Sequence, residues 1–152
     1  MIQATKETLH LNFKVKDPGE LKYFQGIEIM RPPKGILLNQ RKYAFSLISE
    51  VGLRGSKPES SPLEQNQKLT TIDYDKHVGA IRDEELQDIG RYQKLIGKLI
   101  YLTITKPDIC FVVQMLSQFM QHPKCSHLEA TLRVVRYIKG CPRRGVLLKR
   151  NL

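Results

Sequence analysis

Apolar residues recur along this chain with two different periods, and the change of period marks out its elements. Ile2, Thr5, Leu9 and Phe13 keep helical spacing with Lys6 and Glu7 turned outward, which predicts a short helix that "KDPGE" then ends. Two β-rich runs follow, Tyr23 to Met30 and Gly35 to Asn39, and the intervening "RPPK" predicts a hairpin turn. Asn39 reads as the N-cap of a helix over 40–51, with Tyr43, Leu47, Ile48 and Val51 inward and Gly52 as its stop. From Arg54 to Asp88 the periodicity disappears and the composition turns polar and acidic, which predicts a long solvated connection.

Three helices account for most of what remains. The first runs over 89–103. The second opens at "TKPD", with Thr105 and Asp108 as a capping pair and Pro107 in the first turn, and buries Ile109, Val112, Val113, Leu116, Phe119 and Met120. The third has Ser126 and Glu129 as a capping box, turns Leu128, Leu132, Val135 and Ile138 inward, and stops at Gly140. Its Arg133, Arg136 and Lys139 sit apart from that seam. A last apolar run, "GVLLK", reads as a strand. The order gives an α+β chain in three parts: 1–53 with the hairpin between two helices, 54–88 as an acidic connection, and 89–152 as a mainly helical region.

One glycine interrupts the most regular of these helices. Projecting "RYQKLIGKLIYLTI" (91–104) at 100° per residue gives three sectors. Tyr92, Leu95, Ile96, Leu99 and Leu102 form the core stripe, while Arg91, Lys94 and Lys98 form a basic flank. Opposite the core lie Gln93, Gly97, Ile100, Tyr101 and Ile104, a nearly uncharged face with a gap at its centre. Glycine in a helix interior costs roughly 0.5 to 1 kcal/mol relative to alanine, so something gains from the missing side chain. A second helix packed against the notch and a nucleic-acid groove lying over it both satisfy that requirement.

Charge adds a direction. The formal net charge is +10, and residues 91–152 carry twelve Lys or Arg against two Asp or Glu, whereas residues 54–90 carry five against eight. A concentrated basic surface points to a polyanion, of which nucleic acid is the commonest inside cells. The longest apolar runs, "LIYLTI" and "CFVVQML", fall well short of the roughly 20 residues needed to span a bilayer, and "MIQATKETLHLNF" lacks the pattern of a signal peptide, so the expectation is an intracellular, cytoplasmic or nuclear protein with no membrane partner. Cys110, Cys125 and Cys141 are odd in number and lack C-x-x-C spacing, which argues against a disulfide framework or four-thiolate zinc site. His122, Cys125 and His127 offer metal-ligand chemistry without a fourth partner, and the acids of 73–88 sit on no predicted element that makes them converge. No metal is expected.

Taken in order, "LKYFQGIEIMRPPKGILLNQRKYAFSLISEVGL", "KPESSPLEQNQKL", "RYQKLIGKLIYLTITKPDI" and "HLEATLRVVRYIKG" resemble the reverse transcriptase region of copia-type retrotransposon Pol polyproteins, over about 9–148. The resemblance implies part of a reverse-transcriptase fold: a palm-edge helix and primer-side β-hairpin, followed by a helical thumb and connection region. It implies an RNA-directed DNA polymerase ancestry, with an RNA–DNA or DNA template–primer duplex and the rest of a Pol polyprotein as partners. The family's polymerases need Mg2+, held by acids that include the pair in a "YVDD"-like hairpin, and no Asp-Asp pair occurs here. The implied roles are therefore binding roles and the implied isolated chain is no enzyme. Phe24, Gly26 and Ile27 fall where such polymerases position the primer end, with Gln25 in place of an apolar residue. "QKLIGKL" resembles the thumb helix that follows the duplex minor groove, which makes Gln93, Gly97 and Tyr101 groove contacts. Lys94, Lys98, Arg133 and Arg136 become phosphate contacts. A free-standing basic nucleic-acid-binding module and a functionless mobile-element remnant are the alternatives.

Overall fold

The computed structural model describes residues 1–17, 19–80 and 83–150. Pro18 of "KDPGE", two residues of the acidic connection and the last two of the helical part lie outside the described residues. Four strands form an antiparallel meander in the order β1 (Tyr23–Phe24), β2 (Ile27–Met30), β3 (Gly35–Asn39) and β4 (Val146–Lys149). The helices are α1 (Ile2–Asn12), α2 (Arg41–Glu50), α3 (Ile72–Val78), α4 (Ile89–Leu102), α5 (Cys110–Ser117) and α6 (Cys125–Gly140), with a 3-10 turn at Pro107–Ile109 leading into α5.

The core is helical. Ala44, Leu47 and Ile48 of α2 meet the α4 stripe, Val112, Val113 and Leu116 of α5, and Ala130, Val134, Val135 and Ile138 of α6. Elements from both ends of the chain thus share one interior. A buried hydrogen bond of 2.8 Å from the Thr105 hydroxyl to Gln40 Oε1 joins them again. The helix α1 contributes no buried residue.

Several local expectations change, each for an identifiable reason. The run Tyr23 to Met30 is two strands, because Gln25 and Gly26 adopt positive φ (47° and 88°) and reverse the chain between Phe24 and Ile27. Positive φ at both central residues is what a two-residue hairpin loop matching the strand twist requires. Thr105 does not cap the following helix, since its hydroxyl faces Gln40. Nor does Ser126 begin α6, which starts one residue earlier; the Ser126 N–H and hydroxyl both face the Asp83 carboxylate. Helix α5 ends at Ser117, and Phe119 reaches the interior from the turn beyond it, stacked on His127 with ring centroids 3.9 Å apart. The acidic connection contains the seven-residue α3, capped by Thr71 and closed by Gly79 in the left-handed conformation.

The last strand completes the sheet by pairing with β3, Gly35 opposite Lys149 and Leu38 opposite Val146. Close approach is built in: a Cβ at Gly35 would lie 2.0 Å from the Leu148 carbonyl oxygen, and one at Gly145 would lie 2.1 Å from that of Leu38.

Candidate nucleic-acid interface

Helix α4 is set by its ends and its buried stripe. Asp88 caps it by accepting from the Arg91 N–H at 2.9 Å, and Tyr92, Ile96, Leu99 and Leu102 are fully buried. The Tyr92 hydroxyl donates to the Leu116 carbonyl at 2.7 Å, and burial pushes its phenol up to about 12. The helix cannot rotate without stripping that stripe from the core, so its opposite face is held outward.

That outward face is open at Gly97. A Cβ built there meets no heavy atom within 4 Å among the described residues, so no helix of this chain packs into the notch. Ile100 and Ile104 on the same face are 46% and 54% exposed. Its two polar ends are engaged. Gln93 Nε2 donates to the Met120 carbonyl at 3.0 Å, and the Tyr101 hydroxyl donates to the Gln25 carbonyl while its ring meets Tyr43 edge-on, centroids 5.0 Å apart. A Cβ at Gly26 would sit 3.5 Å from the Tyr101 ring. The structure therefore seats the Phe24–Ile27 turn on the last turns of α4, with Phe24 exposed and Gly26 and Ile27 half-buried.

Lys94, Lys98, Arg133 and Arg136 lie at or near the surface, and each has an acidic neighbour. Glu50, the last residue of α2, bonds Lys98 and lies 3.5 Å from Lys94. The Lys98 hydrogen bond holds its carboxyl below the ordinary carboxylate range. On α6, Glu59 lies 3.3 Å from Arg133 and 3.6 Å from Arg136. Arg133 also reaches Ser61 Oγ at 3.3 Å. Among the described residues no hydrogen bond or ion pair links the Lys94–Lys98 patch to the Arg133–Arg136 patch.

Two buried lysines escape any reading of the sequence. Lys106 is 1% exposed and donates from Nζ to the carbonyls of Cys141, Pro142 and Arg144 at 3.1, 3.3 and 3.0 Å, closing the C-terminal end of α6. Burial holds its pKa below the usual lysine value. Lys124 is 2% exposed and pairs with Asp75 and Asp83, so acids that show no periodicity in sequence converge on an ammonium. Beside it, His127 Nδ1 accepts from the Lys124 N–H and Nε2 faces the Thr70 carbonyl, each at 3.0 Å, which uses both ring nitrogens. Only "HPKCSH" hinted at this cluster, and it offered metal-ligand chemistry without a fourth partner. The carboxylates do not fit the family's Mg2+ pair: Asp75 and Asp83 are both engaged by the Lys124 ammonium, and among the described residues no three His, Cys, Asp or Glu side chains converge on a cation site. No helix among them is long and apolar enough to cross a membrane.

Comparison with known proteins fits this arrangement into a lineage. Over 99% of its length the chain is 37% identical to the retrovirus-related Pol polyprotein from transposon RE1 of Arabidopsis thaliana and covers 10% of that protein; the figures for transposon RE2 of the same plant are 36%, 99% and 10%. An uncharacterised mitochondrial protein of Arabidopsis thaliana is 33% identical over 94% of the chain, which covers 55% of it. The chain belongs to the family of copia-type retrotransposon Pol polyproteins. It spans about a tenth of the length of the two curated polyproteins it matches first. No family model and no solved structure matches it.

Proposed function

We propose that the chain is a template–primer-binding part of a copia-type reverse transcriptase, with β1–β2 as the primer-side hairpin and α4 as the thumb helix that follows the minor groove. The observation that carries this reading is the empty notch at Gly97 on a helix face held outward by its buried stripe. A groove edge can approach a backbone there that any side chain would hold off. The nearly uncharged face touches the groove, and Lys94 and Lys98 flank it within reach of phosphates. Arg133 and Arg136 supply a second phosphate-binding patch. Phosphate contacts fix register on a duplex without reading sequence. Since Glu50 and Glu59 each offset one of the two cations in their patch, binding exchanges an internal carboxylate for an external phosphate at each patch.

On this reading the 152-residue chain by itself extends no primer, because the family's two-metal phosphoryl transfer uses the Asp-Asp pair of the "YVDD"-like hairpin, and no such pair occurs in it. The test is binding of an RNA–DNA duplex to the purified chain, read by anisotropy across a salt series. Affinity falls steeply with salt, and Gly97→Leu weakens it while leaving the fold at least as stable to melting. Melting of the fold by that substitution, with duplex affinity intact, would sink the proposal, as would primer extension by the purified chain for its non-catalytic half.

A further inference from the structure

Outside the Lys94–Lys98 and Arg133–Arg136 patches several cations lack an acidic partner, and four of them come together on the sheet. Arg31, Lys34, Lys149 and Arg150 form no ion pair among the described residues, and the sheet gathers them at one end. Arg31 follows β2, Lys34 precedes β3, and the Arg150 N–H donates to the Lys34 carbonyl at 3.1 Å, so β4 delivers its two terminal cations beside the "RPPK" loop. Between them is an open hollow of about 540 Å³. Its floor is apolar: Ile36 and Leu148 face each other across β3 and β4, 38% and 51% exposed, with Pro32 and Pro33 at the rim. Exposed aliphatic side chains inside a ring of uncompensated cations are costly to leave uncovered, and they specify a ligand that is anionic along its length yet carries apolar faces.

We infer that this end of the sheet binds a segment of single-stranded nucleic acid, with phosphates beside Arg31, Lys149 and Arg150 and sugar and base faces against Ile36 and Leu148. The inference rests on the reading that the chain binds nucleic acid, but it concerns a site that the template–primer reading does not use. A duplex hides its base faces in the stack and leaves this floor bare. A single strand offers one charge per nucleotide and an unstacked face beside it; sequence-tolerant single-strand sites combine a basic track with aromatic rings for the bases, and here the aliphatic Ile36 and Leu148 stand in place of those rings. An acidic peptide matches the charge but carries no obligatory apolar face next to each anion.

The experiment uses the full chain with fluorescein-labelled oligouridylate and oligothymidylate of about 12 nucleotides, the length such sites cover, at low salt. The Arg31→Gln, Lys149→Gln, Arg150→Gln triple variant should lose affinity for both by about tenfold or more and show a shallower salt dependence. A second variant, Ile36→Ser with Leu148→Ser, keeps the cations and should lose about fivefold or more by removing the platform. Circular dichroism melts establish that both variants remain folded. Single-strand affinity unchanged within about twofold in the folded triple variant overturns the inference. So does competition by polyglutamate as effective as by unlabelled oligonucleotide, which would make this a surface for acidic protein. Gly97→Leu, assayed beside them on an RNA–DNA duplex, separates the two readings. Loss of duplex binding alone by that variant supports the α4 reading whatever happens at the sheet end, and single-strand binding that depends on Arg31, Lys149 and Arg150 survives a failure of the α4 reading.

Discussion

Glu59 Oε2 lies 3.3 Å from Arg133 Nη2, so the acidic connection places a carboxylate on a guanidinium that a duplex phosphate would need. The same carboxylate reaches Arg136. Glu59→Gln should therefore raise duplex affinity several-fold at low salt, since a partly exposed ion pair is worth at most about 1 kcal/mol and its loss frees two cations. Thermal stability should fall by no more than that. Anisotropy titration beside a Glu129→Gln control checks it, and equal affinities for the two variants would remove Glu59 from the account.

Gly97→Ala tests the open notch without reference to any ligand. With nothing within 4 Å of the added Cβ, the substitution gains helix propensity and meets no clash, and should stabilise the protein by about 0.5 to 1 kcal/mol. Urea unfolding measures this directly. A destabilised Gly97→Ala protein would mean that another element of the chain occupies the notch in solution.

Lys124 is itself buried and engages the partly exposed Asp75 and Asp83, so removing it takes their shared cation away. Lys124→Met should lower the urea midpoint clearly, though by less than breaking a fully buried pair does, because both carboxylates keep some solvent. Adding Asp75→Asn and Asp83→Asn to that variant should recover part of the loss in denaturant melts.

His127 predicts a pH dependence whose sign is fixed by its partners. Nδ1 accepts a backbone N–H, so the neutral ring carries its proton on Nε2 and donates to Thr70. Burial, with the Lys124 ammonium adding to it, lowers the His127 pKa. A depressed folded-state value means that its contribution is fully present above the unfolded value near 6.5 and is lost as pH falls through the lower folded value. Asp83 and Asp108 act below that. Burial raises both, but hydrogen bonds from Ser126 and Lys124 to the first, and from Tyr137 and Arg144 to the second, outweigh it and leave them lowered. Stability should decline in two limbs from pH 7 downward, and His127→Gln should flatten only the upper one.

How much of this was legible beforehand depends on the reach of each interaction. The α4 stripe follows from local spacing, and its five core residues are all buried. The RPPK hairpin and the final strand were equally readable. The chain reversal at Gln25 was not, because glutamine is not a usual positive-φ residue and Tyr23 to Met30 reads as one β-rich run. The Thr105 and Ser126 capping patterns misled because long-range partners, Gln40 and Asp83, claim those hydroxyls. At the candidate interface, charge and spacing marked Lys94, Lys98, Arg133 and Arg136. Their carboxylate partners come from elsewhere in the chain, and no local pattern exposes them.

The pairing of Gly35 with Lys149 also sets an order of events. The third strand leaves the ribosome more than a hundred residues before its partner exists, and at about 5 to 20 residues per second that is on the order of ten seconds during which β3 has one neighbour instead of two. Closing a loop of that length costs more chain entropy than making the local hydrogen bonds of α4, α5 and α6. The sheet end carrying Arg31, Lys149 and Arg150 is consequently brought together only after the residues of α4 have been synthesised.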